Sequence, residues 1–465
     1  MLIERIYDED LAQAAYLIGC QAKGEAIIID GRRDLQPLLD LAEANNMKIV
    51  AAAETHIHAD YLSGTREIAA ATGAKPYVSG EGGTDWQYDF DAERLHDGDT
   101  IEIGNITIEA VHTPGHTPEH LSFLVTDGAF ADEPGYMFTG DFVFSGDLGR
   151  PDLLDEAAGG VDTRFVGAKQ QFQSLKEKFL TLPDHVMVYP GHGAGSACGK
   201  ALGALPSTSV GYERRFAWWA QYLEDDDEQG FTDELLAGQP DAPAYFGRMK
   251  RQNRQGPVVM GERPELQELN PADVQAGIDA NELVFVDTRP DAEVSAIAVR
   301  GAITLPNPEK IATHGSTAFN PEADARGLVV LADDSEDAQR VADRLVRVGI
   351  DDVRGYLPSI EGLDTFQPKI VAPADVESFE RAALLDIRTK SEYAEGHIPG
   401  ASQLHGGKLL WNREAFPEEG TILMYCHSGL RAVVASSALR VQGYDVAQIE
   451  GSYLGWVQAG QPIEK

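Results

Sequence analysis

Cysteine is scarce in this sequence of 465 residues, which contains only Cys20, Cys198 and Cys426. Three scattered thiols cannot form a disulfide framework, so we expect free thiols in a reducing compartment. The first twenty residues carry acidic side chains where a secretory signal needs a basic and then an apolar region, and no apolar run approaches membrane-spanning length. The sequence therefore predicts a cytoplasmic protein with no membrane partner.

Basic residues are also few, because 38 Lys and Arg face 75 Asp and Glu and give a formal net charge of −37. Such a charge repels phosphate backbones and anionic lipids, which excludes nucleic acid as a partner. A saline habitat and a merely well-solvated surface explain the acidity equally well. The length suffices for about three domains.

The first half of the chain alternates apolar strands with helical patterns, which predicts α/β layering. We expect a helix over residues 34–47 with Asp34 at its N-cap. A charge-, Gly- and Pro-rich stretch near residues 225–265 is typical of a region that joins domains. The strands are expected over residues 24–30, 48–56, 106–113, 135–141 and 185–192.

The second half contains an internal repeat, which predicts two homologous α/β units. Residues 281–294 resemble residues 382–401, and residues 327–350 align without gaps with residues 421–444. The copies differ at one position that matters for chemistry, because Cys426 of the second copy is matched by Ala332 of the first. Arg431 is likewise matched by Asp337.

Four expected strand ends in the first half each offer His or Asp side chains. The carboxyl ends of strands in open α/β sheets are where ligands usually bind, so the set predicts a metal site. Other histidines, His96, His112, His185 and His314, are interpreted as ordinary loop or packing residues, and His120 stays open between supporting the site and packing. The candidate metal-site residues are His56, His58, Asp60, His116, Asp141 and His192.

The motifs THxHxD, TPGHT, TGD and a later GH resemble the metallo-β-lactamase superfamily over residues 1–245. This resemblance implies an αβ/βα sandwich with the metal at one edge. Two-zinc members of the superfamily have His directly after the Asp, where this chain has Tyr61. The remaining pattern resembles the persulfide dioxygenase branch, which implies one Fe(II) per chain held by His56, His116 and Asp141. His58, Asp60, Tyr61 and His192 would then be neighbouring polar groups or further ligands.

That ligand set suits oxygen chemistry. Two imidazoles and one carboxylate on one face of an octahedral ion leave positions open for a persulfide sulfur and dioxygen. Zinc, the alternative metal, has no redox chemistry and supports hydrolysis instead. No organic cofactor is expected. Arg150, in a GDLGRPDL segment that resembles persulfide dioxygenases, binds an anionic substrate group or fixes its loop, and Cys198 lies near the metal site or is a plain buried thiol.

A six-residue loop from Cys426 through His427, Ser428, Gly429 and Leu430 to Arg431 follows an expected strand and precedes a helix. Inward-facing backbone N–H groups and the helix N-terminus stabilise a thiolate or persulfide in such a loop. Together with Asp386-x-Arg388 and the GHIPGA stretch, it resembles a rhodanese domain, with Cys426, Arg431 and Asp386 as catalytic residues. Phosphatases usually have a longer loop, which favours sulfur transfer.

The whole chain resembles the bacterial persulfide dioxygenase–rhodanese fusion enzymes. The expected parts are a metallo-β-lactamase-like domain at 1–245, a linker at 246–262, a degenerate rhodanese-like domain at 263–362 and an active rhodanese domain at 370–465. The acidic loop of the middle domain, with Asp333 and Asp334, would repel an anionic persulfide.

The resemblance implies oxidation of a low-molecular-weight persulfide, such as glutathione persulfide, to sulfite and thiol. Cys426 would then transfer a sulfane sulfur to sulfite and form thiosulfate, in the service of sulfide detoxification. The partners are the persulfide, O2 and sulfite, and we expect a homo-oligomer. Two rival hypotheses are a zinc glyoxalase II-like thioester hydrolase fused to a sulfurtransferase, and a sulfur carrier without turnover.

Overall fold

The computed structural model describes residues 1–157, 159–417 and 419–465, and only the backbone of Ala415. The chain forms two compact units. The first contains Met1–Ala242 and Phe246–Arg263, and the second contains Pro243–Tyr245 and Pro264–Lys465. In the described residues, no helix is both long enough and apolar enough to cross a bilayer.

The first unit is built on two six-stranded sheets, each in sequential strand order. The first sheet consists of β1 (Leu2–Asp8), β2 (Gln13–Cys20), β3 (Glu25–Ile29), β4 (Lys48–Ala53), β5 (Lys75–Ser79) and β6 (Glu93–Leu95). The second consists of β7 (Thr100–Ile103), β8 (Ile106–His112), β9 (Leu121–Asp127), β10 (Tyr136–Gly140), β11 (Met187–Pro190) and β12 (Thr208–Ser209).

The two sheets face each other across an apolar core. Alternate residues of β2 divide between the two faces, since Tyr16 and Ile18 pack against the second sheet whereas Leu17 packs under the helices. The ring of Tyr16 meets that of Phe138 edge-on at 4.9 Å. The outer faces are covered by helices, which gives the αβ/βα layering that the sequence predicts.

Eight α-helices of the described residues belong to the first unit. They are α1 (Gln36–Ala44), α2 (Thr65–Thr72), α3 (Leu153–Glu156), α4 (Thr163–Ser174), α5 (Val210–Phe216), α6 (Ala220–Glu224), α7 (Glu228–Leu236) and α8 (Phe246–Gln255).

Two expectations for this unit differ from the structure. Asp34 does not cap α1, which has Leu35 at its N-cap, because the Asp34 carboxylate instead accepts a hydrogen bond from Nε of Arg32 at 3.3 Å. The expected linker at 246–262 contains α8, which belongs to the first unit because Phe246 and Met249 are buried there. The limits of the other expected domains stay predictions.

The second unit contains two parallel sheets and a two-stranded ribbon. The strands are β13 (Leu283–Asp287), β14 (Ala298–Val299), β15 (Ala302–Thr304), β16 (Gly327–Leu331), β17 (Val353–Leu357), β18 (Thr365–Phe366), β19 (Lys369–Val371), β20 (Ala383–Asp386), β21 (Ser402–Gln403), β22 (Ile422–Tyr425) and β23 (Val446–Ile449). The helices are α9 (Pro271–Asp279), α10 (Asp291–Ala296), α11 (Ile311–Ala318), α12 (Ser335–Val346), α13 (Lys390–Glu395), α14 (Leu430–Val441) and α15 (Ser452–Gln458).

The internal repeat appears as one strand order used twice. The sheet β15-β13-β16-β17 matches β21-β20-β22-β23, to which β19 adds a further edge strand. Each copy runs from a central strand through a short loop into an amphipathic or buried helix, β16 into α12 and β22 into α14. The two loops therefore occupy equivalent places, at the carboxyl end of a central parallel strand.

Candidate metal centre and thiol loop

Three side chains from separate loops converge in the first unit. His56 lies after β4, His116 between β8 and β9, and Asp141 directly after β10. Nε2 of His56 is 3.9 Å and Nε2 of His116 is 3.6 Å from Oδ2 of Asp141. All three residues are buried, and their donor atoms lie within 4.8 Å of one another.

Neighbouring groups fix which imidazole nitrogen faces the centre. Nδ1 of His116 donates to the backbone carbonyl of Arg150 at 3.0 Å, which leaves Nε2 as the unprotonated nitrogen. The Thr55 hydroxyl donates to Asp30, so it accepts from Nδ1 of His56 at 3.0 Å and likewise leaves Nε2 free.

His120 supports this arrangement rather than joining the cluster. Its Nε2 accepts a hydrogen bond from the backbone N–H of Asp141 at 3.1 Å, and its ring stacks on that of His56 with centroids 5.1 Å apart. Nδ1 of His120 contacts the Thr113 hydroxyl at 2.9 Å. The structure thus answers the question that the sequence left open for this residue, since His120 holds the backbone beside Asp141.

The protonation states of His56, His116 and Asp141 suit the binding of a metal cation. Burial, followed by the charges of His58 and His116, holds the pKa of His56 well below its usual value, and burial does the same for His116. Burial also raises the pKa of Asp141 to about 6. Neither Nε2 of His116 nor Oδ2 of Asp141 has a hydrogen-bond partner among the described residues. Buried acceptors are rarely left unpaired, and neutral imidazoles with a carboxylate are the forms that bind a divalent metal.

A second group of donors adjoins the first. Asp60, His192 and Cys198 are buried and bring their donor atoms within 4.8 Å of one another. Nε2 of His192 lies 3.5 Å from both Oδ2 of Asp60 and Oδ1 of Asp141, so Asp141 stands between the two groups. Burial, with the charges of Asp141 and Asp60, raises the pKa of Cys198 well above its usual value.

His58 and Tyr61 are held by residues outside both groups, and Nδ1 of His58 has no hydrogen-bond partner among the described residues. Nε2 of His58 lies 3.1 Å from Oδ1 of Asp30 and 3.2 Å from Oε2 of Glu54. Burial lowers the pKa of His58, but the Asp30 and Glu54 carboxylates outweigh burial and raise it well above its usual value. The Tyr61 hydroxyl donates to the backbone carbonyl of Asp30 at 3.1 Å. Both side chains hold the loop that carries His56 and Asp60.

Arg150 is fully buried and held within its own loop. Its guanidinium forms a salt bridge with Asp152, with Nε at 2.8 Å from Oδ1, and Nη1 donates to the backbone carbonyl of Ala197 at 3.1 Å. Of the two sequence hypotheses, these contacts favour the one in which Arg150 fixes the loop that positions His116.

Two residues of α8, Asn253 and Lys250, lie near the loop that carries His56, and neither stands out in the sequence as functional. Asn253 accepts from the Ser63 backbone N–H at 2.8 Å and donates to the carbonyls of His58 and Tyr61 at 2.8 and 2.7 Å. Lys250 is 5% exposed, and its ammonium lies 5.2 Å above the ring of Trp86. In the sequence, the segment that contains them is charged and has the composition of a linker. Only the helical spacing of Phe246, Met249 and Asn253 indicates a buried face.

The thiol loop of the second unit starts at the end of β22. Cys426 is buried, and the backbone N–H of Gly429 donates to its Sγ at 3.1 Å. The backbone N–H of Cys426 itself donates to the Ser452 hydroxyl at 3.2 Å. Gly429 has φ of +118°, which a residue with a side chain rarely adopts, so the turn that aims this N–H requires glycine. Leu430 then begins α14.

A cavity of about 470 Å³ covers this loop and is lined by charged groups. Arg431 forms a two-point ion pair with Glu392, Nη1 to Oε2 at 2.8 Å and Nη2 to Oε1 at 2.7 Å. Asp386 is fully buried and bonded to Arg388, with Oδ2 at 2.6 Å from Nη2. Asp386 therefore positions Arg388, which lines the cavity with Glu392, His427, Ser428, Arg431 and Tyr453.

The equivalent loop after β16 is built differently. Asp334 caps α12 by accepting from the backbone N–H of Asp337 at 2.9 Å, and the Asp337 carboxylate accepts from the backbone N–H of Asp333 at 3.2 Å. Carboxylates thus occupy the donors that a bound anion would use, and Ala332 supplies no thiol.

The chain is similar in sequence and structure to known proteins with this fold. The metallo-beta-lactamase superfamily model matches residues 8–192, and the rhodanese-like domain model matches residues 374–459. A crystal structure titled metallo-beta-lactamase, from Staphylococcus aureus subsp. aureus COL, is 37% identical with a TM-score of 0.65, covering 77% of this chain and 99% of that one. The mouse persulfide dioxygenase ETHE1 is 29% identical over 198 residues, 41% of this chain and 68% of the relative. The hydroxyacylglutathione hydrolase of Rhodospirillum rubrum is 33% identical over 144 residues, 31% of this chain and 52% of the relative.

The two facing sheets and the buried histidine–carboxylate group at their edge define a metal-binding α/β enzyme. More particularly, the chain belongs to the metallo-beta-lactamase superfamily and carries a C-terminal rhodanese-like domain. The predicted resemblance is confirmed at this level, including the presence of persulfide dioxygenases among the homologues.

Proposed function

We propose that this protein is a non-haem Fe(II) persulfide dioxygenase coupled to rhodanese sulfur transfer. The observation that carries the proposal is the buried group of His56, His116 and Asp141, whose donor atoms lie within 4.8 Å of one another. Tyr61, where an additional imidazole would complete a two-zinc site, is bonded to Asp30 instead. Bound iron would supply the redox chemistry that dioxygen activation needs.

The substrate has room beside this group. A cavity of about 920 Å³, lined by Ile57, Trp86, Pro118, Leu154, Val166 and Lys250, reaches the loops that carry His56 and His116. That volume suits a small thiol-borne persulfide. The overall change balances as persulfide, O2 and water giving thiol and sulfurous acid, in which the outer sulfur is oxidised and O2 is reduced. The protein's residues hold the reactants in register and keep bulk water from the buried donors.

The thiol loop would carry the second reaction. The Cys426 thiolate attacks the outer sulfur of a persulfide, the S–S bond breaks, and the carrier thiol leaves with a proton. Sulfite then takes the outer sulfur from the Cys426 persulfide, forms thiosulfate and regenerates the thiolate. The Gly429 N–H and the start of α14 face the developing anion, and both stabilise it. Removing sulfide-derived persulfide in this way would detoxify sulfide.

One observation favours a second candidate, a zinc thioester hydrolase of the glyoxalase II kind. Asp60, His192 and Cys198 form a donor group beside Asp141, and a thiolate donor suits zinc. The similarity to a hydroxyacylglutathione hydrolase points the same way. A protein of this kind would hydrolyse a hydroxyacyl-glutathione thioester and consume no oxygen.

The test is oxygen uptake with glutathione persulfide by protein purified without oxygen and loaded with Fe(II). We expect uptake and sulfite, together with thiosulfate when persulfide is in excess. Cys426→Ser should abolish thiosulfate formation while oxygen uptake continues, because the thiol and the metal donors lie in different sheets. Thioester hydrolysis without oxygen uptake would establish the second candidate, and unchanged thiosulfate in the variant would remove Cys426 from the mechanism.

A further inference from the structure

The ammonium group of Lys250 is buried and lacks a counter-ion in contact. The residue is 5% exposed, and its Nζ has no hydrogen-bond partner among the residues that the structure describes. A buried lysine without a partner destabilises the folded protein, because its charge has lost the solvation of water and gained no hydrogen bond in return. Such a cost is characteristic of functional rather than structural groups.

The surroundings of Lys250 show where its charge acts. Its Nζ lies 5.2 Å above the Trp86 ring, and both residues line the cavity of about 920 Å³. The positive charge of Lys250 acts on His56 and His116, and it feels the carboxylates of Glu119 and Asp141. Ile57 and Pro118, which closely follow His56 and His116 in the chain, line the same cavity, so Lys250 shares it with the loops that carry these donors.

The mouth of the cavity is different in character. Arg254 is 41% exposed there and already faces the Asp89 carboxylate at 3.6 Å. A carboxylate on the carrier end of a substrate would meet this solvated rim. The reacting end of a substrate would then lie at the buried ammonium.

We propose that Lys250 is the binding residue for the reacting sulfur group, which it holds as an anion beside the metal donors. The ligand class is a sulfur anion, a persulfide on entry and a sulfur oxoanion such as sulfite on exit. This inference rests on the proposed function for its substrate, but binding of the oxoanion can be measured without turnover. A buried ammonium gains a charge-assisted hydrogen bond from such an anion, and the anion gains a partner where water is excluded.

The experiment compares the full chain with Lys250→Met, which keeps the apolar stem and removes the charge. Sulfite is titrated calorimetrically into the metal-loaded protein without oxygen, and thermal unfolding is followed in parallel. We expect the dissociation constant for sulfite to rise about tenfold to a hundredfold, the loss that follows removal of a hydrogen bond to a charged group. We expect Tm to stay the same or rise, because the variant no longer buries an unpaired charge.

Control variants test whether the loss of sulfite affinity is due to the charge of Lys250. Lys48→Met removes an exposed lysine and one positive charge, and should leave sulfite affinity unchanged. Lys250→Arg keeps the charge and should keep most of the affinity. Sulfite bound at the Cys426 loop contributes equally to all of these proteins, so the difference reports on Lys250. If Lys250→Met does not fold, Lys250→Gln takes its place with the same expectations.

Sulfite affinity within twofold of the wild type in the neutral variant would overturn the proposal, whatever happens to Tm. The kcat/KM for oxygen uptake gives a second readout and should fall by a similar factor. If the wild type consumes no oxygen, the proposed dioxygenase fails, while the sulfite titration still decides the role of Lys250.

Discussion

Nε2 of His192 lies 3.5 Å from Oδ1 of Asp141, on the side of the carboxylate opposite to that faced by His56 and His116. Nδ1 of His192 contacts the backbone carbonyl of Ala12 at 3.0 Å. Burial lowers the pKa of His192, but the charges of Asp141 and Asp60 outweigh burial and raise it. A protonated imidazole donates from both nitrogens, so we expect His192 to orient the Asp141 carboxylate.

The first prediction concerns the three proposed ligands, His56, His116 and Asp141. His116→Ala should lower the metal content from about one ion per chain to near zero and abolish oxygen uptake. The two donors that remain bind a metal ion much more weakly than three donors do. Sulfur transfer from thiosulfate to a thiol by Cys426 should persist. Elemental analysis and both activity assays test this. His96→Ala, an exposed histidine paired with Glu81, is the matched control. Retention of metal by His116→Ala would contradict the ligand assignment.

The second prediction concerns the adjoining donors. Cys198→Ala should leave the metal stoichiometry at one ion per chain, because Cys198 lies outside the group of His56, His116 and Asp141. Metal analysis after dialysis gives the answer. A fall from two ions to one would show that Asp60, His192 and Cys198 hold a second metal, as the hydrolase candidate requires.

The third prediction is a pH dependence in the second unit. Burial raises the pKa of Glu392, but the Arg431 guanidinium outweighs burial and lowers it to about 2. A carboxyl group with a lowered folded pKa stabilises the fold above its unfolded value of about 4.5, and this stabilisation disappears as the pH falls toward 2. Glu392→Gln should therefore lower Tm most above pH 4.5, and the difference from the wild type should shrink on acidification.

Thermal unfolding across pH 2–7 measures that difference. The exposed Glu395 on the same helix has no ion pair among the described residues, so Glu395→Gln serves as the control. A Tm difference that stays constant from neutral to acid pH would mean that the Arg431–Glu392 pair contributes nothing to stability.

The fourth prediction concerns the core between the two sheets. Phe123 is completely buried, and Phe123→Ala should lower the free energy of unfolding by about 3–5 kcal/mol because it leaves a cavity. Phe130 is 91% exposed, and the same substitution there should change it by less than about 0.5 kcal/mol. Chemical denaturation of both variants checks the contrast, and equal effects would refute this core.

The sequence predicts the site residues that a local pattern marks, and it does not predict those whose roles depend on contacts far away along the chain. His56, His116 and Asp141 were recognisable because each follows an apolar strand, and ligands usually bind at the carboxyl ends of strands. Cys426 stood out because a local loop and a helix start explain it. Lys250 and Asn253 were missed, since Lys250 contacts Trp86 and Asn253 contacts the loop of His58 and Tyr61, all of them far away along the chain.

A side-chain contact in the folded protein can also replace the one that a local sequence pattern predicts. Asp34 has the residue type and position of a helix cap, yet Arg32 binds its carboxylate and the helix begins uncapped. The sequence left the place of Cys198 open, because 138 positions separate it from Asp60 and only the fold brings the two residues together.

The central claim is that one redox-active ion sits between two imidazoles and a carboxylate. Its most direct test is metal analysis of protein purified without oxygen, combined with oxygen uptake on glutathione persulfide. The account predicts about one iron per chain and one O2 consumed per sulfite formed. Two zinc ions per chain, with no oxygen consumed after iron loading, would contradict it.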